Sequence, residues 1–185
     1  MAVFTDHLTD DHVAFIAKQP VFFVATAAAG ARINLSPKGY DAFRVLGPNR
    51  VAWLDLGGSG NETQAHLTAD GRITIMFCAF DNPALILRLY GRGRPIHPEE
   101  EGFGALAALF PRLPGVRQIF DIGVESVQTS CGWGVPRMTL EKERHTLAKY
   151  HAQQDPAARL AKIAGRTRSI DGLPVRVQTM IPEWD

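Results

Sequence analysis

Three polar residues spaced two apart are the first candidates for chemistry in this sequence. Asn34, Ser36 and Lys38 carry an amide, a hydroxyl and an ammonium group. In an extended chain, side chains two residues apart point to the same face, so these three groups share one face of a predicted strand. A strand that uses a whole face for hydrogen-bonding groups is suited to holding a ligand. Lys38 would supply the counter-charge for a phosphate.

A glycine-rich turn follows a later predicted strand. That strand, residues 50–56, leads into Gly-Gly-Ser-Gly at residues 57–60, and a helix is predicted to begin near Asn61. Glycine lets the backbone approach a ligand closely, and the free N–H groups at a helix start attract anions. Together with the polar strand, this pattern predicts a phosphorylated cofactor lying across a sheet. The alternative is a flexible turn in which Asn61 or Thr63 only caps the helix.

The elements that must position these residues are predicted to be mainly β. Hydrophobic alternation and turn residues indicate six or so antiparallel strands joined by hairpin-length loops, which favours a β-barrel with flanking helices. The predicted strands are 21–26, 32–38, 43–46, 50–56, 72–80, 84–96 and 116–129, and the predicted helices are 9–18, 61–69, 98–110 and 140–163, the last interrupted near Pro156.

The length of 185 residues predicts a single domain. Its core is expected at about residues 20–136, with an N-terminal helix at about 9–18 and a helical extension at about 139–174. The polar composition of that extension predicts helices lying on the surface.

Composition excludes several classes of function. The formal charge of +1 gives no electrostatic case for binding nucleic acid or an anionic membrane. The longest apolar run, residues 21–29, is too short to span a bilayer, and the polar N-terminal residues do not resemble a secretion signal. We therefore expect a cytoplasmic protein.

No catalytic side chain is predicted. The six histidines show no metal-ligand spacing, so no metal site is expected. His66 is interpreted as a helix cap or surface residue, although it is close enough in sequence to reach the ligand groove. Cys131 is interpreted as a buried, inert cysteine rather than a reactive thiol.

Four segments in this order resemble one family. The sequence is similar to the FMN-binding split-barrel proteins related to pyridoxamine 5′-phosphate oxidase, and its C-terminal part resembles one uncharacterised branch of them. The segments are Asn34-Leu-Ser-Pro-Lys-Gly39 with Phe43-Arg-Val-Leu-Gly-Pro48, Leu54-Asp-Leu-Gly-Gly-Ser-Gly-Asn-Glu-Thr63, Ser130-Cys-Gly-Trp-Gly-Val-Pro136 and Arg168-Ser-Ile-Asp-Gly-Leu-Pro174.

The resemblance implies a six-stranded antiparallel split barrel that forms a homodimer, with FMN in a groove between the subunits. It implies phosphate contacts on one strand and at the glycine-rich turn, and backbone contacts to the flavin ring. It also implies a segment that closes over the isoalloxazine, from the same chain or from the partner. The implied cofactor-binding residues are Asn34, Ser36, Pro37, Lys38, Asp55, Leu56, Gly60, Asn61, Thr63, Ser130 and Trp133.

The sequence also departs from the family pattern. The family's oxidase carries an arginine on the second strand and Ser-Arg-Lys after the fourth, whereas this chain has Arg32 near the first position and Asn61-Glu62-Thr63 at the second. The resemblance therefore predicts an FMN-dependent oxidoreductase acting on an unknown small molecule rather than on pyridoxamine phosphate. The alternatives are a deazaflavin-dependent reductase on the same barrel and a non-catalytic flavin- or haem-binding protein.

Overall fold

The computed structural model describes residues 2–180. In that range the chain forms eight strands and five helices. In chain order they are β1 (Val3–Thr5), α1 (Asp10–Ile16), β2 (Phe22–Thr26), β3 (Asn34–Lys38), β4 (Phe43–Gly47), β5 (Arg50–Leu56), α2 (Glu62–Ala69), β6 (Arg72–Cys78), β7 (Leu85–Ile96), α3 (Phe103–Ala107), β8 (Val116–Cys131), α4 (Thr146–Ala152) and α5 (Pro156–Ile163).

The strands form one antiparallel sheet in the order β3-β2-β6-β7-β8-β5-β4, and β1 pairs with β8. Both predicted hairpins are confirmed, because β2 pairs with β3 and β4 pairs with β5. The predicted class, a mainly β split barrel with flanking helices, is confirmed as well. The family resemblance implied six strands, which is too few, and the seven predicted strand ranges omit only β1, which has three residues and is too short to show alternation.

Two apolar clusters form the core. The larger one centres on aromatic rings, with Phe22 stacked on Phe77 at 5.6 Å and Trp53 lying 4.4 Å from Phe120 between ring centroids. The smaller cluster packs α3, through Phe103, against the other part of the sheet. Burial of aromatic side chains of this size supplies a large part of the hydrophobic stabilisation.

Helix α1 begins as predicted. The hydroxyl of Thr9 accepts a hydrogen bond from the backbone N–H of His12 at 3.3 Å, and the His12 ring accepts one from the Thr9 backbone N–H at 3.2 Å. This reciprocal cap satisfies two backbone donors that a helix start leaves free.

The C-terminal extension differs from the prediction of surface helices. Helices α4 and α5 are present, but His151 and Arg159 on them are buried against the barrel. Gly115 makes this contact possible, because a side chain there would overlap the His151 imidazole, and its φ of +89° suits glycine. The extension is therefore packed onto the loops that lead into α2 and β8. No described helix is both long and apolar enough to cross a membrane.

Candidate functional site

The polar face of β3 meets the start of α2. The side-chain amide of Asn34 donates to the hydroxyl of Thr63 at 3.2 Å and to that of Thr26 at 3.5 Å. Strand alternation holds Asn34, Ser36 and Lys38 on the half-buried face, and Pro37 lies on the exposed face. Two segments that the sequence analysis selected separately are therefore brought together by the fold.

Two groups on this face have no partner among the described residues. The hydroxyl oxygen of Ser36 is buried and makes no hydrogen bond, and the ammonium of Lys38 forms no ion pair within residues 2–180. A buried polar group without a partner costs free energy, and a bound ligand can supply the missing hydrogen bond. The face thus fits an anionic group that accepts from Ser36 and Lys38.

His66 lies behind this face and is buried, so its interpretation as a cap or surface residue is wrong. Its Nδ1 lies 3.1 Å from the hydroxyl of Thr26, which also contacts Asn34. Its Nε2 is buried without a hydrogen-bond partner among the described residues. The polar cluster therefore continues from β3 through β2 into α2.

Asp55 anchors a second polar network at the end of β5. Its carboxylate accepts from Arg117 at 2.8 Å and 2.9 Å and from the amide of Gln118 at 2.9 Å. Gln118 also donates to the side chain of Asn61 at 2.8 Å, and Arg117 donates to the carbonyl of Gly60 at 2.7 Å. These bonds fix the chain immediately before α2.

The side chain of Asn61 accepts a hydrogen bond from Gln118 and makes no capping hydrogen bond to α2. The alternative interpretation, in which the Asn61 side chain only caps the helix, is thus wrong. Without a side-chain cap, the first N–H groups of the eight-residue helix α2 stay open to another acceptor. This favours the anion-binding interpretation of the helix start.

The network continues to a buried histidine. Gln64 donates to Gln118 at 3.1 Å, and its amide nitrogen lies 3.3 Å from Nε2 of His97. Burial, together with the positive charge of Arg176, lowers the pKa of His97 below its ordinary value. His97 is therefore held neutral to lower pH than a free histidine.

Asp55 and Leu56 extend beyond their neighbouring strand. β4 begins at Phe43, which pairs with Trp53, whereas β5 continues for three more residues. On the side of β5 that faces β4, the backbone of Asp55 and Leu56 has no strand partner. On the other side of β5, both residues pair with β8. A ligand can therefore approach the backbone of Asp55 and Leu56 on this edge, as expected. The Asp55 side chain is already hydrogen-bonded to Arg117 and Gln118.

Residues of the C-terminal extension contact the carbonyl groups of the glycine-rich turn, not its N–H groups. The carbonyl of Gly57 lies 2.7 Å from Nε2 of His151. Arg166 donates to the carbonyls of Gly58 and Ser59 at 3.0 Å and 3.1 Å. These contacts do not form a phosphate cradle, which leaves the anion-binding role to the start of α2 and to β3.

Glu62 and Arg32 point to the same C-terminal segment. The Glu62 carboxylate accepts from the backbone N–H of Ile170 at 3.2 Å, and the Arg32 guanidinium pairs with Asp171. The acidic side chain is thereby engaged by a backbone donor and forms no ion pair with Lys38 among the described residues. Arg32 is likewise engaged by a carboxylate and forms no hydrogen bond with Asn34, Ser36 or Lys38 in the described part of the chain.

Ser130 and Trp133 do not join this site within one chain. Ser130 accepts from Arg88 at 3.2 Å near the end of β8, about 40 Å along the strand from Gln118. Trp133 is 86% exposed. Cys131 is exposed, so its interpretation as a buried cysteine is wrong. Neither Ser130 nor Trp133 forms a hydrogen bond with the β3 face or the start of α2 in the described structure.

A cavity of about 680 Å³ lies between the glycine-rich turn and the C-terminal extension. Arg159 is buried in its wall and donates to the carbonyls of Gly115 and Val116 at 2.8 Å and 3.2 Å. Burial and the charge of Arg117 lower the pKa of Arg159. No sequence pattern predicts this cavity, because it depends on how the extension docks onto the barrel.

Arg117 and Gln118 were also missed as site residues. A signal was available in the sequence, since Gln118 interrupts an otherwise apolar inward face on β8 between Val116 and Phe120. A buried glutamine on such a face requires hydrogen-bond partners. Its partners lie more than 50 residues away, and only the fold identifies them.

The geometry first defines a class of protein. An antiparallel barrel with flanking helices, whose polar strand face adjoins an uncapped helix start, is a split-barrel protein with an anion-compatible groove. Residues 8–131 match the model of the pyridoxamine 5′-phosphate oxidase family. The chain belongs to this family.

A curated relative supports the same assignment. The pyridoxamine 5′-phosphate oxidase family protein ustO of Aspergillus flavus is 35% identical over 194 residues, which cover 94% of this chain and 78% of the relative. The match extends well beyond residue 131, so it includes the C-terminal extension.

Solved structures show the fold. A variant of HupZ from Group A Streptococcus matches with a TM-score of 0.55 at 21% identity, covering 66% of this chain and 98% of that one. A Lactobacillus delbrueckii protein named for pyridoxamine 5′-phosphate oxidase matches with a TM-score of 0.55 at 17% identity, covering 66% and 94%.

Proposed function

We propose that this protein is a homodimeric FMN-binding oxidoreductase that acts on a small molecule. The observation that carries the proposal is the meeting of the polar β3 face with the uncapped start of α2, through the bond between Asn34 and Thr63. Membership of the pyridoxamine 5′-phosphate oxidase family supports it.

The residues present fit the phosphate of FMN. Ser36 has a buried hydroxyl without a partner, Lys38 has an ammonium without an ion pair among the described residues, and the first N–H groups of α2 lack a side-chain cap. A phosphate accepts hydrogen bonds from all three kinds of donor. Asn34 and Thr63 hold the two elements in register with each other.

When bound, FMN supplies hydride or electron transfer, and the protein supplies orientation and electrostatics. The backbone of Asp55 and Leu56 faces the open edge of β5 and would position the ring. The buried pair of Asp55 and Arg117 fixes this edge and leaves no net charge beside the ring. Gln118 and Asn61 connect the same edge to the phosphate end.

The exposed side of β3 supports the proposed dimer. This edge strand presents Leu35 opposite its polar face, and Ile33 immediately precedes the strand; the two are 67% and 78% exposed. Large apolar side chains on a strand edge favour association with another molecule. In the proposed dimer, the partner's segment corresponding to Ser130–Trp133 covers the flavin, because no contact joins it to the site within one described chain.

The visible absorption spectrum of the purified protein tests the cofactor, combined with mass analysis of whatever heat releases from it. We expect a two-band flavin spectrum and the mass of FMN. A deazaflavin mass would support the alternative cofactor. A colourless protein that does not take up added FMN would contradict the proposal.

A second measurement separates an enzyme from a carrier. Anaerobic addition of a nicotinamide donor should bleach the flavin band, and a candidate acceptor should restore it. A flavin that no physiological donor reduces would indicate a binding protein without turnover, and the oxidoreductase part of the proposal would fail.

A further inference from the structure

The cavity under the C-terminal extension has a strongly positive lining. Four cationic side chains that line it form no ion pair with any carboxylate in residues 2–180; they are Arg159, Lys162, Arg166 and Arg168. Two further arginines in the lining are already paired, Arg117 with Asp55 and Arg176 with Glu99 and Glu100. Glu62 is the one acidic residue among the lining residues, and the N–H of Ile170 engages it.

Arg159 is the most deeply buried of these four cationic side chains. It is 6% exposed, and Nη2 makes all three of its hydrogen bonds within the described chain, including one to Gln178 at 3.3 Å. Its Nε and Nη1 donors have no partner among those residues. A buried charge without an opposite charge is costly, which makes a position of this kind a candidate for a bound counter-ion.

A second buried group lines the same cavity. His151 is 9% exposed, and its Nδ1 has no hydrogen-bond partner among the described residues, while Nε2 is occupied by the carbonyl of Gly57. The cavity thus combines unpaired guanidinium donors, an unpaired imidazole nitrogen and apolar walls that include Leu147 and Ile163. A recess that combines cationic donors with apolar walls is suited to a small anionic molecule.

We propose that this cavity binds a small, multiply charged anion with phosphate or carboxylate groups, held by Arg159, Lys162, Arg166 and Arg168. The site adjoins the proposed flavin groove at the start of α2 but differs from it in its donors. Its lining includes Gly60, Asn61 and Glu62 but none of the β3 residues Asn34, Ser36 and Lys38. The four cations belong to the C-terminal extension, whereas Ser36 and Lys38 belong to β3, so substitutions can address the two sets of donors separately.

Isothermal titration of the purified protein, with the cofactor it retains, tests the site. Inorganic pyrophosphate and citrate serve as separate probes of phosphate and carboxylate chemistry, at about 0.15 M salt so that weak surface attraction is screened. The rim variant Lys162→Gln/Arg168→Gln removes two charges from exposed side chains. Arg159→Gln removes the deep charge and is checked for folding by circular dichroism, because Arg159 also holds backbone carbonyls.

Two control variants make the test specific. Arg92→Gln removes an arginine from a shallower, separate recess, where it lies 3.6 Å from Glu125. Lys38→Ala alters only the proposed flavin groove. We expect saturable binding of at least one probe, weakened about ten-fold or more in the rim variant and in folded Arg159→Gln, and unchanged in both controls.

The proposal fails if neither probe binds saturably, or if the rim variant binds as the wild type does. It also fails if Arg92→Gln weakens binding equally, because general surface charge would then explain the effect. Loss of binding in Lys38→Ala would assign the anion to the flavin groove. A colourless protein that still binds a probe would leave this inference standing while the flavin proposal fails.

Discussion

The side-chain amide of Asn34 donates to the hydroxyl of Thr63 across 3.2 Å and joins the edge strand β3 to the start of α2. This bond places Lys38 and Ser36 on the strand and the uncapped N–H groups of the helix around one groove. Neither segment alone is a convincing anion site, since polar strands and glycine-rich turns are both common. Their junction is what makes the groove a candidate for a phosphate.

Replacing Lys38 with alanine should weaken FMN retention several-fold without unfolding the protein, because Lys38 is half-buried and supports no other described group. Flavin occupancy after dialysis, measured by absorbance, checks this. Lys142→Ala is a matched control, since Lys142 is exposed on the loop before α4. Full occupancy in Lys38→Ala would show that the phosphate lies elsewhere.

Asn61→Ala should also weaken FMN retention, through loss of the bond from Gln118 that holds the helix start. The groove would remain but would be less well ordered, so we expect a smaller effect than for Lys38→Ala. Fluorescence titration of the flavin-free protein with FMN compares the two variants. An unchanged dissociation constant in Asn61→Ala would separate the Gln118 network from the cofactor.

Asp55→Asn should destabilise the protein by about 3 kcal/mol, because it leaves the largely buried guanidinium of Arg117 without its carboxylate. Asp121→Asn breaks a bidentate pair with Arg50, whose side chain is 55% exposed, and should cost less than about 1 kcal/mol. Urea unfolding of both variants measures the difference. Equal losses would mean that burial does not distinguish the two pairs.

Gly115→Ala should loosen the C-terminal extension and cost about 2 kcal/mol, because the new Cβ overlaps His151 at a positive φ. Gly58→Ala is the control, since Gly58 lacks a positive φ and no described atom lies within 4 Å of an added Cβ. Limited proteolysis should cut residues 139–174 faster only in Gly115→Ala. The same cleavage rate in both variants would contradict the docking.

Stability should fall on acidification through His97. The folded state lowers its pKa, so its neutral form stabilises the fold fully above about pH 6.5, and this contribution is lost as the pH falls towards the lowered value. Urea unfolding at about pH 7.5 and about pH 5.5 should show a larger loss in the wild type than in His97→Gln. Equal losses would show that His97 does not control this dependence.

Much of the fold was predictable from the sequence because its signals are local. The β-branched and aromatic residues of 21–26 and the turn containing Gly30 assigned one hairpin, and the period of two in residues 32–38 placed Asn34, Ser36 and Lys38 on one face of β3. The N-terminal helix at about 9–18 was predictable for the same reason. The motifs that indicated the family are also continuous segments, so no tertiary information was needed to identify them.

Only the tertiary structure decided which of these faces meet. Asp55 finds Arg117 and Gln118 because β5 pairs with β8, and His151 reaches Gly57 from 94 residues away. Periodicity states which side of an element is buried, but not what lies against it. The polar composition of the extension therefore predicted surface helices, whereas Arg159 and His151 are buried in the wall of a cavity. That cavity arises from long-range packing, which no local pattern encodes.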